Sequence, residues 1–250
     1  MRWGVRGRIT KDPDRDAVTI EVRTGGQLFR WFLGINGAVS QAFLFGLVLF
    51  GVAGTTEWPR GWVVIAVWSI NILVVCVVST TEVMIERLWP IRDLHRMDRA
   101  DLTLLVLLGP LVVAWLVLIP ADRFHLELLS RPPAAASAIG LVMIQAGWVF
   151  ITLSTRQNQF ASPVVKLMDG QRVVDHGVYA IVRHPMYLGG ALFVIGMPLW
   201  LESYAATLLS LVFVGGLALR IRIEERVLHG LDGYDAYTQR VRHRLIPFVW

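Results

Sequence analysis

The chain has 250 residues, 55% of them hydrophobic and 17% charged, with a formal net charge of +5 and a mean hydropathy of +0.55. Soluble domains carry about a quarter charged residues, so this composition excludes an ordinary soluble domain and predicts an all-α, polytopic membrane helical bundle. The positive charge does not point to nucleic acid either, because it is spread between apolar segments.

Residues 1–32 read as a basic cytosolic tail. KDPDRD has loop chemistry, and AVTIEV alternates like a short strand, although nothing nearby in sequence is expected to pair with it. The tail is expected to lie against the anionic inner leaflet, where each basic residue adds about 1 kcal/mol. Residues 33–154 read as a four-span scaffold, with spans at 33–53, 61–81, 102–120 and 135–154; about 20 apolar residues cross the hydrocarbon. Gly34, Gly37, Gly46 and Gly51 are candidates for close helix packing. Asn36, Gln41 and Asn71 are expected to bond between helices. Cys76 reads as a buried apolar thiol. Glu82 and Glu86 beside Arg87 read as an interfacial ion pair. ADRFHLELLSRPP is the main external loop, and His125 in it stands far from every other polar motif.

The apolar stretch from 186 to 219 is too long for one crossing. It is interrupted at Pro198, Trp200, Glu202 and Ser203, which predicts a helical hairpin and about six spans in all. Of the 24 Lys and Arg residues, only Arg60, Arg123 and Arg131 fall on the side opposite the termini. The positive-inside rule therefore places both termini in the cytoplasm, in the inner membrane if the source is bacterial.

The chemistry is predicted in residues 155–250. The segment QRVVDHGVYAIVRHPMYLGG leads into the hairpin, and RIRIEERVLHGLDGYDAYTQRVRHRLIPFVW follows it. Pro185 suits the first turn of a helix, whose free N–H groups favour anions. Because a hairpin returns to the surface it left, Arg183–Tyr187 and Arg220–Glu225 should meet in space. Arg220 and Glu224 are one helical turn apart, as are Arg222 and Arg226. Mixed charge at a membrane boundary marks a site. The sequence holds no Cys/His metal cluster, so no metal is expected, and it holds no Walker, Rossmann or GxSxG pattern.

The pair RHPMYLG and EERVL at this separation resembles the isoprenylcysteine carboxyl methyltransferase family, and phospholipid methyltransferases share the C-terminal pattern. The resemblance covers roughly residues 155–250. It implies S-adenosylmethionine as cofactor, held in a cytosolic pocket over the hairpin and closed by the segment after the last helix. Carried over by position, cofactor binding falls on Gln171, Val173, Val174, Tyr179, His184, Pro185, Met186 and Tyr187, with Gly177 and Gly189 as turn residues and either Glu224 or Glu225 at the cofactor. Arg220 or Arg222 faces the substrate, and Arg183 joins the catalytic set. Gln171 stands where some members carry histidine, and Lys166 near a glutamine of others, which leaves the substrate open. The implied acceptor is an amphiphile entering from the bilayer: a carboxylate of a prenylated or other lipidic molecule, a phospholipid amine or a small thiol. A nicotinamide-dependent membrane reductase and a non-catalytic lipid-binding protein are the readings outside this chemistry. Nothing in the sequence sets the oligomeric state.

Overall fold

The structure is a computed structural model that describes residues 7–11, 18–22, 27–78, 99–158, 160, 170–247 and 249–250. The expected ion pair at Glu82, Glu86 and Arg87, and Lys166, lie outside the described residues. Near the N-terminus, β1 (Gly7–Lys11) and β2 (Val18–Val22) pair antiparallel with Gly7 opposite Val22. The alternating segment therefore does have a partner, in Gly7–Lys11.

The rest of the described chain is helical: α1 (Gln27–Ala53), α2 (Pro59–Val78), α3 (Arg99–Ala121), α4 (Ala134–Gln157), α5 (Pro185–Trp200), α6 (Tyr204–Leu228) and α7 (Tyr234–Arg240). A π-helical turn, Asp122–Leu126, continues α3. Five helices, α1 to α4 and α6, are long and apolar enough to cross a membrane, which makes this an integral multi-pass protein. The sixth predicted crossing, α5, has 16 residues and rises only about 24 Å, short of the ~30 Å hydrocarbon. α6, with 25 residues, rises about 37 Å. The start of α5 therefore comes level with the Arg220–Glu225 stretch of α6, not with its end.

The closest helix contact is between α4 and α5, and glycine makes it. A β-carbon on Gly147 would stand 2.5 Å from the Gly189 carbonyl oxygen, and one on Gly140 would stand 2.7 Å from that of Gly196. Each pair of glycines is seven residues apart, so two turns later the same face returns and the backbones touch twice. Small residues permit this approach where lipid gives no hydrophobic drive. Of the glycines expected to do this in span one, Gly46 makes only ordinary contacts and Gly51 has nothing within 4 Å.

Polar side chains tie the other helices. Gln41 accepts from Trp68 at 3.2 Å, and Asn71 donates to Gln145 at 3.3 Å, as expected of polar residues inside spans. Trp115 of α3 donates to Ser210 of α6 at 2.9 Å, and Ser210 Oγ lies 2.6 Å from the Val194 carbonyl of α5. His125 bonds the Val52 carbonyl at 2.6 Å, which gives it a structural role. Cys76 is half-buried rather than buried. At the far end from the motifs, the α5–α6 turn carries Glu202 with φ +68°, an unusual conformation for a side chain with a β-carbon. It is held by Arg123 at 2.7 Å and Arg60 at 3.3 Å, while Ser203 caps α6 and donates to Asp122 at 2.6 Å.

Gly147→Val should abolish folding or lower the melting temperature of the detergent-solubilised protein sharply, since overpacking costs about 1–3 kcal/mol even where side chains can yield and here the neighbour is backbone. Gly51→Ala, with nothing to meet, should leave it unchanged or raise it slightly.

Candidate functional site

The segment before α5 is shaped by glycines with left-handed backbone, Gly170 at φ +70° and Gly177 at φ +60°. A β-carbon on Gly177 would stand 2.3 Å from Gln157 Nε2, so only glycine fits without displacing that side chain. Gln157 Oε1 in turn accepts the Val178 N–H at 3.0 Å, which ties the loop to the end of α4. A 3-10 turn, Gly177–Ala180, follows, and α5 opens with His184 as N-cap and Pro185 at its first position.

α7 and the residues after it strap this loop down. The Tyr237 hydroxyl donates to the Tyr179 carbonyl at 2.7 Å, and Arg240 pairs with Asp175. Val173 packs against Tyr234, Tyr237 and Val241. The N–H groups of Arg183 and His184 donate to the carbonyls of His243 and Arg244, each at 2.9 Å. At the helix entry the His184 donor is thus taken by the strap. Burial pushes the Tyr234 and Tyr237 phenols well above their usual range, so both stay protonated and the Tyr237 donor persists across ordinary pH.

Under the strap lies Glu225, 5% exposed. Arg183 Nε stands 2.9 Å from its Oε1, an ionic contact off the N–H axis. His184 Nε2 stands 3.4 Å from the same oxygen, and Arg244 donates to Oε2 at 2.7 Å. The Arg244 guanidinium in turn lies over the Trp250 ring, 5.4 Å from its centroid. A second group adjoins the first, with the His184 and Tyr187 rings 5.7 Å apart. The Tyr187 hydroxyl donates to Glu224 at 2.7 Å. Arg220 lies 5.9 Å from the Tyr187 ring centroid and donates twice to Asp101, at 2.8 and 3.2 Å. Asp101, in the first turn of α3, is wholly buried.

The hairpin thus brings Arg183, His184, Pro185 and Tyr187 to Arg220, Glu224 and Glu225, as the sequence predicts. Gln171, Val174 and Met186 are half-buried and Tyr179 buried along the same loop and helix entry. Two residues go elsewhere. Gly189 is no turn: it lies inside α5 and packs on α4. Arg222 is exposed and lines a groove with Arg99, because two residues along a helix turn a side chain about 200° away. Sequence reasoning missed Asp101 and Arg244. A lone acid opening a long apolar helix needs a partner, which was the available signal for Asp101; Arg244 sits in a generally basic tail that gave none. Among the described residues no group of three or more His, Cys, Asp or Glu is placed to hold a metal.

Comparison with known proteins shows what this part of the chain is similar to. Residues 135–231 match the family model described as phospholipid methyltransferase, a stretch that takes in α4, the loop, the hairpin and both glutamates. Two probable protein-S-isoprenylcysteine O-methyltransferases of rice, from Oryza sativa subsp. indica and japonica, are each 32% identical over 119 residues, which is 45% of this chain and 62% of theirs. The protein-S-isoprenylcysteine O-methyltransferase of Schizosaccharomyces pombe is 38% identical over 72 residues, 28% of this chain and 30% of that protein. A solved eukaryotic intramembrane Ras methyltransferase, an isoprenylcysteine carboxyl methyltransferase, aligns over 90% of this chain and 88% of its own at 20% identity and a TM-score of 0.42. Over part of its length the chain is thus similar to protein-S-isoprenylcysteine O-methyltransferases, and it spans less than two thirds of the length of the rice proteins it matches.

Tyr237→Phe should destabilise the strap by about 1 kcal/mol, read as faster proteolysis after residue 230 with the membrane helices intact. An unchanged cleavage rate would mean that Tyr237 does not hold the strap.

Proposed function

We propose that the chain is an S-adenosylmethionine-dependent membrane methyltransferase acting on a carboxylate of a prenylated or other lipidic acceptor. The Asp101–Arg220 pair carries this reading. Arg220 is oriented by both oxygens of a buried carboxylate, at the ends of two membrane helices and beside Tyr187 and Glu224. An arginine in that setting suits recognition of a carboxylate arriving from the bilayer.

The described residues fit the proposed donor. Tyr234 Oη is buried without a hydrogen-bond partner among them, near enough to Glu225 and Arg183 to feel both charges. Such an orphan calls for a ligand atom. Arg183 and Arg244 match an amino-acid carboxylate, Glu225 an ammonium or ribose hydroxyls, and Tyr187 and Trp250 offer faces to a cation or an adenine. Of the two glutamates, Glu225 is the one under the strap and is assigned to the donor; Glu224 is assigned to hold Tyr187. S-adenosylmethionine, when bound, supplies a methyl group on a sulfonium, open to in-line displacement.

The protein's own task is then placement. A carboxylate is ionised at neutral pH, so no residue has to remove a proton. Arg220 aligns the acceptor, Tyr187 shapes the contact between the two groups, and the strap excludes water that would compete with a close, ordered approach.

One observation favours a second reading, methylation of a phospholipid amine: the description of the family model that matches residues 135–231. An ammonium would have to lose a proton before it could attack, a step that an ionised carboxylate does not need.

Calorimetry on the purified full chain tests the donor. S-adenosylhomocysteine should bind at about micromolar affinity, which is near −8 kcal/mol, and NADPH should not; NADPH binding alone would sink the reading in favour of a reductase. Tyr187→Ala and Glu225→Gln should lose that binding while the protein stays folded. Arg220→Lys keeps the charge on Asp101 but loses the planar fork. It should lower kcat/KM about tenfold to a hundredfold with unchanged affinity for S-adenosylhomocysteine. A base-labile methylated product marks the ester, and a base-stable one the amine.

A further inference from the structure

α3 and α6 touch where Leu108 seats against Gly216, whose β-carbon would stand 2.6 Å from Leu108 Cδ1. Toward the end of the bundle that carries the candidate site, a groove of about 770 Å³ opens between them, within the size range of small-ligand sites. Leu104, Leu107 and Leu219 line its apolar part, and Arg99, Arg222 and Arg226 its polar end. Leu107 and Leu219 are 64% and 52% exposed on helices that cross the membrane, so the groove faces lipid. All three arginines are exposed, and none makes an ion pair with a carboxylate among the described residues.

This is not the candidate site seen from outside. Arg222 and Arg226 lie on the face of α6 roughly opposite Arg220 and Glu224. An isolated arginine at a membrane boundary needs no ligand, because it can snorkel to water. Three that converge from two helices on one apolar groove repel one another, and that arrangement favours an anion between them.

We propose that this groove binds one anionic phospholipid of the adjacent leaflet. Its phosphodiester sits among Arg99, Arg222 and Arg226, and an acyl chain lies along Leu104, Leu107 and Leu219. Guanidinium groups grip phosphate oxygens through paired N–H donors, and basic pockets between membrane helices are the setting in which acidic headgroups are held. A lipid there bridges the same two helices that the Asp101–Arg220 pair joins, so it steadies that pair from the outer side. The inference is independent of the methyl acceptor and of the donor.

Native mass spectrometry of the full chain, released from neutral detergent doped with phosphatidylglycerol or with phosphatidylcholine, tests it. One phosphatidylglycerol adduct is expected, with no comparable phosphatidylcholine adduct. Arg222→Gln and Arg226→Gln, at exposed positions where folding is tolerant, should each weaken it about tenfold, while Arg131→Gln, at the other end of the bundle, should not. Equal binding of the two lipids, or full retention of the adduct in both variants, would overturn the proposal. So would competitive displacement of phosphatidylglycerol by a prenylated carboxylate, which would reassign the groove to the acceptor.

Discussion

A carboxylate buried at the end of a membrane helix must be paired, because a lone charge out of water costs several kcal/mol. Glu225 meets this constraint with partners from two other parts of the chain. Arg183 and His184 come from the loop before α5, and Arg244 from the strap after α7. One desolvated group therefore fixes how loop, hairpin and strap sit together. Breaking a buried ion pair by removing one partner costs about 3–5 kcal/mol, and with three partners on Glu225 the two that stay offset part of that loss. The partners are not equivalent. The Arg183 and His184 side chains are nearly inaccessible, whereas that of Arg244 is 37% exposed, so its contribution is the most screened.

That pairing works only if α5 and α6 meet at the right height. The glycine contacts of α4 with α5 set the position of α5, since backbone against backbone leaves no side chain to adjust. Ser210 and Trp115 then fix α3 and α5 against α6. Asp101 reaches Arg220 because α3 is held there, and Arg220 in turn is set beside Tyr187. The site depends in this way on a helix that carries no residue of the sequence motifs.

Much of this was legible in the sequence. Composition and apolar run length gave the membrane class, and the interrupted stretch from 186 to 219 gave the hairpin. The hairpin gave the meeting of Tyr187 with Glu224. What escaped was of two kinds. Asp101 and Arg244 join the site through contacts more than a hundred and about twenty residues away from their partners, and no local pattern encodes such a distance. Gly46 and Gly51 of α1 and the glycines of α4 and α5 look alike in sequence, but only the second set finds a facing backbone. Gly189 illustrates the ambiguity: the resemblance implies a turn residue there, yet Pro185 starts a helix that runs straight through it.

The stretch RIRIEER shows where one-dimensional reading ends. Residues 220, 222, 224, 225 and 226 form a single charged cluster in sequence, and every i, i+4 pair within it looks equivalent. On a helix turning about 100° per residue they part into separate faces. Arg220 and Glu224 look toward Tyr187 and α3, Glu225 looks under the strap, and Arg222 and Arg226 look out toward lipid. The alternating Ile221 and Ile223, both buried, keep these faces apart by anchoring the helix between them. In the proposed reading, about two turns of α6 present a guanidinium to an acceptor, a carboxylate to a donor and two guanidiniums to the bilayer, each in a different dielectric. The cost of gathering so many charges at the end of a membrane helix is met on each face by a different partner, and that division is what allows adjacent residues to serve separate purposes.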